Sequence, residues 1–299
     1  MKSIKTPNYN WLYFENPDKD DLAAIQKIFT LHPVVLSEFN SPTYRPRVNQ
    51  YENYTFMVLH FPVYDKQSRT PKTGEVDVLI NDQYLITSCN YHQRGLFQFF
   101  EKTRKNQASL TGNHQPENTW ALLLMAFDAL MNACFPKLDH ISSRLETIEE
   151  NIFQGREKEM VQEISLVKRD ILNFRRSIKP QRSILESLAA TQSFKNNQDL
   201  KTRINDIIGT NIRIWNVLQN HKEVMDSLEA TNDSLFSYKL NQNMKALAII
   251  SIIFLPSTLA ASLFGANTIM PIQNFWQALG ITLILMVMML IIVKLKKWL

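Results

Sequence analysis

The chain has 299 residues, 45% of them hydrophobic, and a formal net charge of +5. This length allows a soluble domain of about 240 residues and a short membrane segment, and so modest a positive charge gives no indication of nucleic acid binding. The two cysteines, Cys89 and Cys134, lie far apart in the sequence. That spacing excludes a metal-type cysteine motif and favours buried thiols in a reducing compartment.

Residues 1–118 have the mixed pattern of a cytosolic α/β domain. Asp18–Leu31 and Gly95–Lys105 carry apolar residues at helical spacing. Three short runs are rich in β-branched or aromatic residues and are separated by turn residues, so we expect them to be strands of one antiparallel sheet. These runs are Thr55–Pro62, Glu75–Ile80 and Tyr84–Cys89.

Residues 119–190 predict a charged helical hairpin. Its first helix extends over Trp120–Asn151, and Gly155 follows where the pattern breaks. The second helix, Glu157–Leu188, runs back along the first. It contains Pro180, which removes a backbone donor and therefore predicts a kink.

Residues 191–244 predict a stalk helix that continues into the membrane. From about Asp199 the helical pattern meets no stop signal before Pro256. It therefore predicts one continuous helix of about 65 residues, which at 1.5 Å per residue measures roughly 100 Å. A globular domain does not need such a helix, whereas a stalk that carries movement into a membrane does.

Two apolar runs predict transmembrane helices at 245–265 and 275–293, with an external loop at 266–274 and a basic cytosolic tail at 294–299. The uncharged part of each run holds about 19 residues, enough to cross the hydrocarbon core of a lipid bilayer. Lysines flank only one side of the pair, so the positive-inside rule places both termini in the cytoplasm. They are Lys239, Lys245, Lys294, Lys296 and Lys297.

One face of the first span is small and polar, while the opposite face carries bulky residues such as Ile249, Ile253 and Phe254. Polar groups at membrane depth face a partner or water. Two interpretations stay open: tight packing between helices, or a water-filled pore lined by one such helix from each subunit. The polar face consists of residues at alternating steps of three and four, namely Asn241, Met244, Ala248, Ser251, Leu255, Thr258, Ser262 and Gly265.

Motifs of catalytic chemistry are absent from the sequence. It contains no GxGxxG, GxxxxGK[ST], HExxH, CxxC or GxSxG, and its six histidines form no cluster. A basic run at 168–182 is typical of a solvated helix face rather than of an RNA-binding surface. We therefore expect neither an enzyme nor a nucleic acid partner.

The loop between the spans carries the most specific motif. Gly265-Ala266-Asn267, followed by Met270-Pro271, resembles the Gly-Met-Asn signature of the CorA magnesium channels. Further resemblances to that family follow in the expected order at 31–38, 45–48, 51–59, 168–182 and 241–247. The chain is identified on these motifs as a divergent member of the family, with Ala266 in place of Met.

This resemblance implies an α+β cytosolic domain with a long helical stalk and two C-terminal transmembrane helices, assembled as a funnel-shaped homopentamer in the inner (plasma) membrane. The implied selectivity filter is Gly265, Ala266 and Asn267, where amide oxygens would hold a hydrated ion. Mg²⁺ is the leading transported ion, with Co²⁺ and Ni²⁺ as further cargo. The implied pore lining is Asn241, Met244, Leu247, Ala248, Ser251, Leu255, Thr258 and Ser262.

The family is also gated by divalent cations bound between cytosolic domains. The positions that match its regulatory carboxylates are Glu38 and Asp206, with Ser37 where the family commonly has a further acid. The resemblance therefore implies a regulatory metal site at Glu38 and Asp206, with Mg²⁺ or another divalent cation as both cargo and regulator.

Two departures from the family pattern leave the transported ion open. Ala266 replaces the signature Met, and the loop after Asn267 has no carboxylate to concentrate cations. Relatives with altered signatures include the ZntB zinc transporters. The alternatives are thus a zinc transporter of that type, with a proton-coupled rather than channel mechanism, or a membrane-anchored metal sensor that does not conduct.

Overall fold

A computed structural model describes residues 1–39, 43, 45–65, 70–108, 116–265 and 275–296 of the chain. The chain divides into two compact units, Met1–Glu229 and Ala230–Leu299.

The first unit is built on a six-stranded mixed sheet with the order β1-β2-β6-β5-β4-β3. The three predicted strands are present, and they pair antiparallel to one another as predicted. Three further strands escaped prediction, and one of them, β2, pairs parallel with β6. The strands are β1 (Lys2–Lys5), β2 (Asn10–Glu15), β3 (Arg47–Gln50), β4 (Thr55–Asp65), β5 (Thr70–Ile80) and β6 (Tyr84–Cys89).

Strand β2 lacks the alternating pattern of a half-exposed strand because it is covered on both faces. Its four central residues, from Trp11 to Phe14, are all buried. The Trp11 ring lies 4.9 Å from that of Phe100, on the helix that follows β6, while Phe14 belongs to the core on the opposite face. A strand buried on both faces carries a continuous apolar run, which periodicity alone does not distinguish from a helix.

Two short helices, α1 (Lys19–Ile28) and α2 (Pro33–Phe39), close one face of this sheet. Asp18 begins α1 with a reciprocal capping box, in which its side chain accepts from the Asp21 amide. Ile25 and Val35 are fully buried against residues of β2 and β4. This packing places the end of α2 over the sheet.

Each of the two predicted arms of the helical hairpin is divided into shorter helices. The prediction of a single helix over Trp120–Asn151 is wrong, because Ala133 and Cys134 interrupt it and Pro136 lies in the first turn of the next helix. The second arm, predicted as one kinked helix over Glu157–Leu188, is divided at Pro180 into the helices Glu157–Ile178 and Gln181–Ala189. The helices are α3 (Arg94–Ala108), α4 (Thr119–Asn132), α5 (Phe135–Phe153), α6 (Glu157–Ile178), α7 (Gln181–Ala189) and α8 (Gln192–Lys195).

The long helix that the sequence predicted is present as α9, which extends over Gln198–Gly265 and comprises 68 residues. The next helix, α10, extends over Phe275–Leu295. Three helical stretches in the described part of the chain are long and apolar enough to cross a membrane. The first, Thr119–Phe153, consists of α4, α5 and the short break between them, and 56% of its apolar window is buried. The other two lie in α9 and α10, where 11% and 6% of the apolar windows are buried. These two are the helices whose apolar surface the chain itself leaves uncovered.

Candidate ion pathway and regulatory site

The predicted pore-lining residues share one exposed face of α9 in the second unit. Ile253, which is 7% exposed, marks the opposite face. Successive residues of an α-helix are rotated by about 100° around its axis. Measured around the axis of α9, every predicted pore-lining residue lies within about 60° of the direction opposite Ile253. All of them are exposed, namely Asn241, Met244, Leu247, Ala248, Ser251, Leu255, Thr258 and Ser262.

The hydroxyl groups on this face are oriented by the helix itself. Ser251 Oγ donates to the Leu247 carbonyl at 3.0 Å, and Thr258 Oγ1 donates to the Phe254 carbonyl at 2.9 Å. Each hydroxyl has one proton and two lone pairs, so donation to the helix leaves oxygen lone pairs to accept from water. A hydrated cation presents water protons to its surroundings. The face therefore offers fixed acceptors of the kind that such an ion requires.

Apolar side chains alternate with these hydroxyls. Met244, Leu247 and Leu255 are 62%, 63% and 68% exposed. Large apolar side chains that line a narrow aqueous pathway can close it by dewetting. The same helix face thus carries both acceptors for a hydrated ion and candidate constrictions.

Only the first residue of the predicted filter lies in the described part of the chain. Gly265 is the last residue of α9, whereas Ala266 and Asn267 lie outside the described residues. Their role as a filter stays a prediction.

Asp206, the predicted regulatory residue on α9, lines a cavity of about 630 Å³ in the first unit. Asp128 of α4 lines the same cavity and accepts a hydrogen bond from Asn132 Nδ2 at 2.9 Å. The cavity therefore brings two carboxylates to one surface, together with the cations Lys102 and Arg203. Sequence reasoning missed Asp128, although it is the one charged residue in the apolar sequence of α4, which is a detectable signal.

Glu38, the other predicted regulatory residue, lies near the end of α2 and does not line that cavity. Its carboxylate forms an ion pair with Arg47, and the side chain is 17% exposed. It is therefore a partly buried helix residue rather than a solvated loop acid. The structure does not bring Glu38 and Asp206 to a common site within the described part of one chain.

A buried acid lies close to Glu38. Asp77 of β5 is 6% exposed, and its burial raises its pKa well above the usual range. The nearby carboxylates of Glu75 and Glu38 raise this pKa further, and the charge of Arg47 partly offsets the rise. Glu75 accepts from the Thr43 amide at 2.6 Å. Among the described residues, no three His, Cys, Asp or Glu side chains form a group that could hold a metal ion.

The sequence matches the family model described as CorA-like Mg²⁺ transporter protein over residues 7–297. The cobalt/magnesium transport protein CorA of Thermotoga maritima is 27% identical over 305 residues, which cover the whole of this chain and 85% of the relative. The zinc transport protein ZntB of Yersinia enterocolitica is more distant, at 22% identity over 86% of this chain and 76% of the relative.

The fold has a close counterpart among solved structures. The complete CorA magnesium transporter of Methanocaldococcus jannaschii superposes with a TM-score of 0.85 at 17% sequence identity, covering all of this chain and 95% of that one. An α/β domain, a long helix and a C-terminal apolar helix are thus common to both chains.

Proposed function

This chain belongs to the CorA-like Mg²⁺ transporter family, a family of divalent metal transporters, and from that premise we propose that it conducts Mg²⁺ across the plasma membrane as a homopentamer. Co²⁺ and Ni²⁺ are further cargo. The first transmembrane helix is 245–265, the external loop is 266–274 and the second transmembrane helix is 275–293, with both termini in the cytoplasm.

The observation that carries this proposal is the exposed polar face of α9. Ser251 and Thr258 have their protons fixed by backbone carbonyls, and their outward oxygens face away from the side marked by Ile253. One helix cannot enclose a pathway, so copies of this face must surround it. Five copies, as the family resemblance implies, would form a wet channel in which polar and apolar rings alternate.

Selectivity is assigned to Asn267 at the outer mouth. Mg²⁺ releases its bound water reluctantly, so a ring of neutral amide oxygens would contact the hydration shell rather than the bare ion. Gly265 and Ala266 would shape the turn that presents this ring. Because Ala266 is smaller than the family's Met, it would support the filter less firmly.

Regulation is assigned to carboxylates of the cytosolic unit. Asp206 shares its cavity with Asp128, and a neighbouring subunit would supply Glu38. A divalent cation held between neighbouring subunits would stabilise the closed state of the pentamer. Loss of that cation would allow the pentamer to become asymmetric and open. The residue boundaries for this part of the molecule are 1–118 for the α/β domain, 119–190 for the helical hairpin and 191–244 for the stalk.

Flux into liposomes tests the function directly. Full-length protein should pass Mg²⁺ down its gradient, and Asn267→Ala should change either the flux or the preference among Mg²⁺, Co²⁺ and Ni²⁺. Asn274→Ala removes an amide from the same loop and is the matched control, with expected flux equal to that of the wild type. A protein that passes no divalent cation would overturn the proposal and would favour a sensor.

A zinc transporter is the second candidate, favoured by the altered Gly-Ala-Asn signature and the similarity to a ZntB protein. The same liposomes separate the two functions. Zn²⁺ flux that depends on a pH gradient, with Mg²⁺ excluded, would replace the magnesium proposal by the zinc one.

A further inference from the structure

The basic run at 168–182 does not act as one uniform solvated face. Three of its cations are engaged by neighbours within the first unit. Lys168 pairs with Glu229 at 2.5 Å, Arg182 pairs with Glu186 at 2.7 Å, and the Arg175 guanidinium lies 4.8 Å from the centroid of the Trp215 ring. Arg169 and Arg176 form no ion pair with any described residue, and both are exposed.

These two arginines converge on one groove of about 380 Å³. They lie seven residues apart on α6, which places them on one helix face, about two turns or roughly 10 Å apart along the axis. None of the residues lining this groove, all of which are described, is acidic. We call it the α6 groove, and its lining includes Lys72, Thr73, Tyr91, Arg169, Asn173 and Arg176.

Hydrogen bonds fix the two walls of the α6 groove against each other. Asn173 Nδ2 donates to the Pro71 carbonyl at 3.2 Å, and the Thr73 and Ser177 hydroxyls lie 3.1 Å apart. The arginines are therefore held beside β5 instead of projecting from an isolated helix. Tyr91, which is 43% exposed, presents an aromatic ring to the same groove.

We propose that the α6 groove binds a phosphate-bearing anion, with a nucleoside polyphosphate as the ligand class. Guanidinium groups bind phosphate oxygens through paired N–H donors. Two of them separated along a helix suit charges distributed along a phosphate chain better than a single phosphate. The Tyr91 ring supplies a surface on which a base can stack. Lipid headgroups offer the same phosphate chemistry, so the test must separate the two sources.

Calorimetric titration of detergent-solubilised full-length protein tests the proposal, in buffer free of divalent cations so that phosphate chelates nothing. The probes are ATP, inorganic tripolyphosphate and the soluble lipid dioctanoyl phosphatidylglycerol. ATP and tripolyphosphate should compete for one saturable site, with ATP the tighter of the two. Arg169→Gln combined with Arg176→Gln should weaken both at least about 10-fold, because charge-assisted contacts are lost.

The control variant, Lys27→Gln with Lys201→Gln, removes the same net charge from exposed lysines outside the groove and should alter the affinity by less than about 2-fold. If both double variants lost the same amount of affinity for ATP and tripolyphosphate, the binding would be non-specific charge attraction, and the proposal would be overturned. Absence of saturable binding by ATP and tripolyphosphate would also overturn it. Binding of the lipid alone would assign the groove to a headgroup instead. Circular dichroism of each variant checks that the fold is retained.

Discussion

Nε2 of His221 lies 2.8 Å from Oγ of Ser142, which joins the long helix α9 to the first arm of the helical hairpin. His221 is 4% exposed, and its Nδ1 has no hydrogen-bond partner among the described residues. Burial lowers the pKa of His221 below its ordinary value, and the charge of Asp139 only partly opposes this effect. The folded protein therefore holds this imidazole neutral.

Stability should consequently decrease as the solution becomes acidic. The unfolded chain binds a proton at His221 near pH 6.5, whereas the folded chain binds it only at lower pH. The free energy of unfolding therefore decreases as the pH falls from about 6.5 through the lower pKa of the folded state. His221→Gln cannot titrate and should show a smaller loss of melting temperature between pH 7.5 and 5.5. Thermal unfolding of solubilised full-length protein measures both. Identical pH profiles would show that His221 is not the group responsible.

Arg144 should be essential for the stability of the hairpin. Its Nη1 donates to Asp170 at 2.7 Å, and the Asp170 side chain is 7% exposed. Burial raises the pKa of Asp170, and Arg144 opposes that rise. Arg144→Met would leave a buried carboxylate without its cation and should cost about 3 kcal/mol of unfolding free energy.

The control for this prediction is the second partner of Arg144. Glu163 lies 3.1 Å from Arg144 Nη2, but its side chain is 46% exposed. Water screens such a pair, so Glu163→Gln should cost less than about 1 kcal/mol. Denaturant unfolding measures the free energy of unfolding of the two variants. If both lost the same amount, burial of Asp170 would not determine the strength of its ion pair with Arg144.

Two glycines should respond in opposite directions to the same substitution. A Cβ on Gly95 would lie 2.7 Å from the Ala133 Cβ and 3.0 Å from the Ala129 carbonyl oxygen, so α3 and α4 would have to separate. Gly95→Ala should therefore destabilise the fold by about 1–3 kcal/mol. A Cβ on Gly209, in the N-terminal part of α9, meets no atom within 4 Å. Gly209→Ala should stabilise the protein by up to about 1 kcal/mol, and thermal unfolding distinguishes the signs.

The membrane part could be predicted from sequence because its signals are local. Charge-free runs, flanking lysines and a three-and-four-residue spacing are visible without knowledge of the fold, and the structure places two long, largely uncovered apolar stretches in α9 and α10. Strand β2 could not be predicted in the same way. Its continuous apolar run, from Trp11 to Phe14, reflects coverage by elements distant in sequence.

The cytosolic site could be predicted only in part, for a related reason. The family resemblance pointed to Glu38 and Asp206 as candidates, and their role stays a prediction. Nothing local shows that Glu38 forms an ion pair with Arg47 or that Asp128 shares a cavity with Asp206. These relations join residues 9, or nearly 80, positions apart in the sequence. They follow from how α2 packs on the sheet and α9 beside α4. Two local signals were available that sequence reasoning failed to use: Asp128, the one charged residue in α4, and Pro136, which lies in the first turn of α5.

Regulation by cytosolic Mg²⁺ should depend on Asp206. Asp206→Asn removes the charge that would hold a divalent cation, so the Mg²⁺ concentration needed to stop flux should rise at least about 10-fold. Asp233→Asn removes a charge from an exposed position on the same helix and should leave that concentration unchanged. Flux measured at graded Mg²⁺ on the cytosolic side compares them, and an unchanged Asp206→Asn variant would exclude this carboxylate from the regulatory site.

Ser251 and Ser257 give the sharpest comparison for the ion pathway. Both hydroxyls donate to the carbonyl four residues earlier, at 3.0 and 3.3 Å. Ser251 lies on the exposed polar face, whereas Ser257 lies within about 40° of Ile253 by the helical angle. Ser251→Ala should lower Mg²⁺ flux at least about 5-fold, since each lost acceptor costs about 1 kcal/mol and the proposed homopentamer loses one from every subunit. Ser257→Ala makes the same chemical change on the other face and should leave flux unaltered. If both variants lowered flux equally, the effect would come from the helix backbone and the exposed face would not be the pathway.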